Sequence, residues 1–270
     1  MTSGPPWSRP LDRTRWREGE ASAGVRETAE ETPVALVYDA STYAVMMASP
    51  ADLEDFAIGF SLTEGVIDTP SQIRGLEIAR APLGIETRIW LAPERGARLA
   101  ERRRFMAGPT GCGLCGIDSL EQAVRRWPPV DGREVRLTPD EVRAAGAALA
   151  AAQPLGQATR AAHAAGYWRR GSGLIAARED VGRHNALDKL IGALARADET
   201  GTDGAVLLTS RVSIEMVQKT ARLGAPILIA VSAPTALAVR TADEAGITLI
   251  AVAREDGFEV FTHPERVVSA

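Results

Sequence analysis

Beyond residue 174 the chain repeats one pattern: a short apolar run, an amphipathic stretch, and another apolar run. Runs at 174–177, 205–208, 227–231 and 247–252 read as strands, with a further one at 258–261. Between them, 185–196, 213–223 and 235–245 carry apolar residues at helical spacing, and Gly224 and Gly246 follow the last two as stops. Strands too apolar to expose a face, alternating with amphipathic helices, predict a mostly parallel sheet covered on both sides. In such sheets ligands sit beyond the carboxyl ends of the strands. Those ends are 178–183, 209–213, 232–235 and 253–256.

The preceding half is less regular. Strand pairs are expected at 34–38 with 43–47 and at 73–78 with 85–91, and a helix over 52–62 with Gly65 beyond it. Thr138-Pro-Asp-Glu141 has the form of a capping box with proline at the first helical position, so a helix follows to about residue 152. Residues 1–31 mix Pro, Arg, Glu, Ser and Thr without an apolar signal core and read as a mobile leader. The division expected is a leader over 1–31, an α+β portion over 32–130 and an α/β portion over 131–270, the last two forming one compact unit.

Composition limits the function classes. At 45% hydrophobic and 24% charged residues the chain is ordinary globular material. A net charge of −4 argues against a general nucleic-acid binder. No apolar run approaches the roughly 18 residues of a membrane span. The expectation is a cytoplasmic protein, with no membrane and no nucleic acid among its partners. Of 31 basic residues only Lys189 and Lys219 are lysines, so a single arginine carries little weight by itself.

The chain's two cysteines fall together in Pro109-Thr-Gly-Cys112-Gly-Leu-Cys115-Gly116. Asp118 reads as the cap of a helix that follows, with Glu121 completing a box. A thiol just before a helix N-terminus favours the thiolate. Several chemistries compete for this loop. Two buried structural cysteines are one reading. A zinc site lacks ligands, since His163, His184 and His263 are scattered, unless a second subunit completes it. A thioredoxin-like pair fits the spacing but not the placement. Gly111, Gly113 and Gly116 match G-x-G-x-x-G, but the buried strand a dinucleotide fingerprint needs is missing before them. The zinc deaminase pattern needs H-x-E, which is absent. A nucleophilic or sulfur-carrying thiol remains, with the second thiol assisting release or protecting the first as a disulfide. No resident metal site is expected.

A second constellation, Arg178-Glu-Asp-Val-Gly-Arg-His-Asn-Ala-Leu-Asp-Lys189, crosses from a strand end into a helix. It offers phosphate-binding N–H groups and the fork of Arg183, or else it is a charged surface loop with an Asp-Lys pair. Gly182, Arg183 and His184 are candidate binding residues here. Arg211 and Arg254 lie at other predicted strand ends.

Taken together, the Gly111–Gly116 loop, the Glu179–Lys189 stretch and Ser232-Ala-Pro-Thr-Ala-Leu-Ala238 resemble the FdhD family of sulfur carriers needed for formate dehydrogenase activity. Glu31-Thr-Pro-Val34, Met47-Ala-Ser-Pro-Ala-Asp-Leu-Glu54 and Gly59-Phe-Ser-Leu-Thr-Glu-Gly65 fit the same family, so the resemblance spans about 31–268. It implies a cytidine-deaminase-like α/β fold with a smaller N-terminal α+β portion. It also implies a homodimer and transfer of sulfur from a cysteine desulfurase to the bis-guanine-dinucleotide molybdenum cofactor, ahead of insertion into formate dehydrogenase. By this resemblance Cys112 is the persulfide cysteine and Cys115 its partner. The family's cofactor-binding stretch falls on Val252, Ala253, Arg254, Glu255, Asp256 and Gly257, and a free guanine nucleotide could occupy the same pocket. Two departures stand out: Thr209-Ser210-Arg211 replaces a Ser-Gly-Arg turn, and Thr159-Arg-Ala replaces Thr-Gly-Gly. The alternatives are a non-catalytic cofactor chaperone and a dithiol oxidoreductase.

Overall fold

A computed structural model describes residues 6–105, 128–132 and 134–269, without the side chains of 102–105. Cys112, Cys115 and the helix expected after Asp118 lie outside the described residues.

The expected leader is instead a two-stranded ribbon. Strands β1 (Ser8–Arg17) and β2 (Glu20–Ala29) pair antiparallel, with Arg17 opposite Glu20. Glu18 and Gly19 both take positive φ, at 52° and 86°, which is the two-residue turn whose twist suits a hairpin. The Glu-Gly pair between two stretches free of helical periodicity was the missed signal. Trp16 and Val25 stay exposed on the ribbon, and Arg26 ties it to the body through the Thr159 carbonyl at 3.1 Å.

A four-stranded sheet follows, in the order β4-β3-β6-β5. It contains β3 (Thr32–Tyr38), β4 (Ser41–Ala48), β5 (Ile73–Ala81) and β6 (Gly84–Leu91). Both strand pairs expected from the sequence form, and β3 and β6 join them in parallel. Helix α1 (Leu53–Thr63) lies between β4 and β5, and α2 (Pro93–Phe105), unexpected from the sequence, follows β6.

The second sheet has six strands, ordered β12-β11-β10-β9-β7-β8. Its strands are β7 (His163–Arg169), β8 (Gly173–Asp180), β9 (Ala205–Leu208), β10 (Ile227–Ala230), β11 (Thr248–Arg254) and β12 (Gly257–Val260). Side-by-side parallel pairing is confined to β9, β10 and β11, while β8 points the same way but pairs only with the opposed β7. The β7–β8, β7–β9 and β11–β12 pairs are antiparallel. The mostly parallel sheet expected from the sequence is therefore a mixed sheet with a parallel centre. The miss traces to β7: His163-Ala-Ala-Gly166 has little strand propensity, yet burial between two neighbours overrides it. Helices α3 (Pro139–Ala151), α4 (Pro154–Thr159), α5 (Arg183–Arg196), α6 (Ile214–Leu223) and α7 (Ala236–Glu244) cover the sheet. The Thr138–Glu141 capping box forms as expected, with both reciprocal hydrogen bonds.

One apolar core joins both halves. Phe56 and Phe60 of α1 pack in the same cluster as Leu187 and Leu190 of α5 and Val206 of β9. α1 and α5 meet backbone to backbone at two glycines. A Cβ on Gly59 would lie 1.7 Å from the Asp188 carbonyl oxygen, and one on Gly192 would lie 1.9 Å from that of Asp55. No larger residue fits either crossing point without separating the helices.

Candidate functional site

The Glu179–Lys189 stretch begins in β8 and ends inside α5, and Asp180 holds it in place. This carboxylate is fully buried and accepts from four donors. Ser49 N–H (2.9 Å) and the Lys189 ammonium (2.6 Å) reach Oδ2. Gly182 N–H (2.8 Å) and the Asn185 amide (3.0 Å) reach Oδ1. Lys189 also donates to the Ser49 carbonyl, and Asn185 to that of Met47. Two segments more than 130 residues apart, Met47–Ser49 and Asp180–Lys189, are thus locked together by charge-assisted bonds. Gly182 belongs to the lock: a Cβ there would meet the anchored Asn185 amide at 2.9 Å.

The other conspicuous charges of this stretch are structural. Glu179 accepts from Leu155 and Gly156 N–H, the first turn of α4. Arg178 and Arg196 both grip the buried Asp55 carboxylate at 2.7 Å. Asp188 takes the Lys219 ammonium on both oxygens at 2.6 Å and the Thr63 hydroxyl at 2.7 Å. Burial pushes the Asp188 carboxyl up, and Lys219 opposes that shift.

Arg183 and His184, at the start of α5, are not used in this way. Arg183 Nε and His184 Nε2 are buried, and neither has a hydrogen-bond partner. Ser213, the cap residue of α6, and Glu215, in its first turn, each also bury an oxygen without a well-formed hydrogen bond. The four groups form one electrostatic cluster. His184 is held down to about pH 4 by burial and by the Lys219 and Arg183 cations, so its ring is neutral at pH 7. Burial would raise Glu215, but the nearby Ser213 hydroxyl, its own backbone N–H, His184 and Arg183 together bring it below the usual carboxylate range. His163 at the start of β7 is lowered by burial and by Arg183. It joins the cluster although its spacing in the sequence suggested a structural role.

Topology explains the gathering. His163 and Asp180 are paired across β7 and β8, at the edge where β9, β10 and β11 also end. Ala164 N–H donates to the Thr209 hydroxyl at 2.8 Å, so Thr209 binds the two strand ends together. Val252 N–H reaches the Ser232 carbonyl at 3.3 Å, joining the ends of β10 and β11. The Val252–Gly257 stretch proves to be the end of β11 and a tight turn, with Arg254 opposite Gly257. Val252 sits at φ 51°, rare for a β-branched residue, beside a register shift. Arg211 and Arg254 lie exposed at this edge, as do Glu255 and Asp256, whereas Gly182, Arg183 and His184 lie deeper. Among the described residues, no group of three His, Cys, Asp or Glu is placed to hold a metal ion.

Ser213 and Glu215 were not foreseen as site residues. In sequence they look like an ordinary cap and first-turn acid. Only the strand end just before them hinted otherwise.

A family model described as the FdhD/NarQ family matches residues 29–268. A protein named sulfur carrier protein FdhD from Agrobacterium fabrum is 53% identical over 260 residues, covering 96% of each chain. A protein of the same name from Cupriavidus necator is 51% identical over 254 residues, covering 94% of this chain and 88% of its own. The crystal structure of a formate dehydrogenase accessory protein from Desulfotalea psychrophila superposes with a TM-score of 0.77 at 28% identity. It covers 97% of this chain and 100% of its own. With a family model over 29–268, relatives half identical over nearly the whole length and a solved structure of the same fold, the chain belongs to the FdhD/NarQ family.

Proposed function

We propose that this protein is a sulfur carrier for formate dehydrogenase, passing persulfide sulfur from a cysteine desulfurase to the bis-guanine-dinucleotide molybdenum cofactor. The observation that carries the cofactor half of this reading is the cluster at the strand ends. Arg183 and His184 hold buried nitrogens without partners there, while every neighbouring charge on the same stretch is already paired. A guanidinium fork suits a phosphate, and the cofactor carries several. Gly182, Arg183 and His184 would form the floor of its site. Arg211 and the Val252–Gly257 turn would form the rim. The relatives' name, sulfur carrier protein, supports the other half.

The chemistry balances with the two thiols the chain has. The Cys112 thiolate attacks the terminal sulfur of the desulfurase persulfide. A new S–S bond forms on Cys112, and the desulfurase cysteine leaves as its thiolate. At the bound cofactor, the Cys115 thiolate attacks Cys112 Sγ, releasing hydrosulfide to the metal and leaving a Cys112–Cys115 disulfide. A cellular dithiol then reduces that disulfide. A cytidine-deaminase-like fold, a homodimer and a cytoplasmic location belong to the same reading.

Incubation with a desulfurase and cysteine, followed by intact mass measurement, tests it. A gain of one sulfur is expected in the unmodified protein and not in Cys112→Ala. Undiminished sulfur gain and formate dehydrogenase activation by Cys112→Ala would refute the carrier role. Full activity of a double cysteine variant would favour a chaperone that only binds the cofactor. Turnover of the disulfide with thioredoxin, without sulfur gain, would favour an oxidoreductase.

A further inference from the structure

Nothing in the sulfur chemistry needs the ribbon of β1 and β2. A two-stranded hairpin is marginally stable in water by itself, yet this chain holds one with ten residues in each strand. Its two faces differ in charge. Facing alternates along a strand, and residues opposite one another share a face. Arg9, Arg13, Arg15 and Arg17 of β1 therefore share a face with Arg26 of β2. Asp12, Glu27 and Trp16 lie on the other face. Glu20, opposite Arg17, is the one strand acid on the arginine face.

Two of these arginines are engaged. Arg9 pairs with Glu30, and Arg26 donates to the Thr159 carbonyl at 3.1 Å. Arg13, Arg15 and Arg17 make no ion pair among the described residues. Arg13 lies across Gly24, its opposite residue, where a Cβ would come within 3.8 Å of a guanidinium nitrogen. Arg15 and Arg17 are exposed. The three form a row with steps of about 7 Å, two strand residues each. The row starts one step outward from the Arg26 anchor, because Arg26 is opposite Leu11. That anchor stands beside the site. Thr159 ends α4, whose first turn is held by Glu179, the neighbour of Asp180. Four residues separate Thr159 from His163, so chain length keeps the anchor within about 14 Å of the strand-end edge.

We infer that this arginine row docks an acidic surface of formate dehydrogenase awaiting its cofactor, and brings that acceptor to the mouth of the site. Guanidiniums without counter-ions suit carboxylates, which they bind as forks. A nucleic acid suits the ribbon less, since four acids stand among its five arginines and the whole chain carries −4. Position favours the acceptor over the sulfur donor, because the ribbon is rooted at the edge from which the cofactor leaves. The assignment rests on the function proposed above and adds a docking element to it.

Biolayer interferometry of the full chain against immobilised formate dehydrogenase, purified from cells lacking this protein, tests the docking. Binding should weaken steeply as salt rises, since such charges act over about 10 Å and mainly on the association rate. Changing Arg13, Arg15 and Arg17 together to Gln should lower affinity about 10-fold or more. Changing the same three to Lys should keep most of it. Sulfur gain on Cys112 should be normal in both variants, which separates this test from that of the carrier role. Undiminished binding and dehydrogenase activation by the glutamine variant overturn the assignment. Lost sulfur gain with intact dehydrogenase binding overturns it in favour of the desulfurase. A drop from dimer to monomer in light scattering, again with intact binding, overturns it in favour of a second copy. If the unmodified chain does not bind the dehydrogenase even at low salt, the docking fails, while sulfur gain on Cys112 remains a separate result.

Discussion

Replacing Asp180 by asparagine changes one atom in a place where almost no adjustment is available. Both members of the Asp180–Lys189 pair are 0% exposed. All four groups around the carboxylate are donors. Asparagine can point its oxygen at one side only. If the amide NH2 faces the Oδ2 side, it meets the Lys189 ammonium and Ser49 N–H. If it faces the Oδ1 side, it meets Gly182 N–H and the Asn185 amide, which cannot flip without losing Met47. Two hydrogen bonds are lost either way, at about 1 kcal/mol each. The ammonium also loses its counter-charge, and breaking a buried pair costs about 3–5 kcal/mol in total. Lys189→Met should cost less, because the carboxylate keeps three donors. The double variant should recover much of the Asp180→Asn loss, because the stranded charge is gone. Urea unfolding followed by tryptophan fluorescence measures all three. A loss under about 1 kcal/mol for Asp180→Asn, or strict additivity in the double variant, would refute the argument.

Gly59→Ala drives a methyl group into the Asp188 backbone of α5 and should destabilise the fold by about 1–3 kcal/mol or more in the same assay. Arg160 holds a left-handed backbone at φ 59° as the cap of α4, so Arg160→Gly should be neutral or raise the melting temperature, despite removing a side chain. His184 stays neutral in the folded chain down to about pH 4, whereas an unfolded imidazole takes its proton near 6.5. The unfolded state therefore binds more protons between those values, and stability should fall as pH drops through that window. His184→Asn should flatten this part of the stability curve, measured by urea unfolding from pH 6.5 down to pH 5, above most carboxylate titration.

The parallel centre was legible because β9 and β10 are short and wholly apolar, β11 is apolar from Leu249 to Ala253, and helices with clear stops separate them. Gly224, at φ 82° after α6, is such a stop. The antiparallel flanks were not, because β7 owes its form to neighbours on both sides rather than to its own residues. Arg183 and His184 were foreseen from a strand-to-helix crossing. Glu215 was not, because its meaning depends on what stands across from it in another element. Arg178 and Glu179 looked equally functional in sequence, yet each turned out to be tied to the frame. Sequence shows which residues carry charge, whereas only the fold shows which charges are already spent on each other.

The chain's two lysines are both internal counter-ions: Lys189 is fully enclosed against Asp180, and the Lys219 side chain is 11% exposed against Asp188. Its outward-facing cations are therefore arginines. An amine-directed reagent finds no side-chain target on the folded surface comparable to an ordinary lysine. Its reaction with these two sites would instead time how often the helix layer opens. Lys219 would report shallow excursions between α5 and α6, and Lys189 the deeper ones that unlock Ser49 from the strand edge. Two internal clocks at different depths are thus built into a protein that offers such a reagent no other lysine.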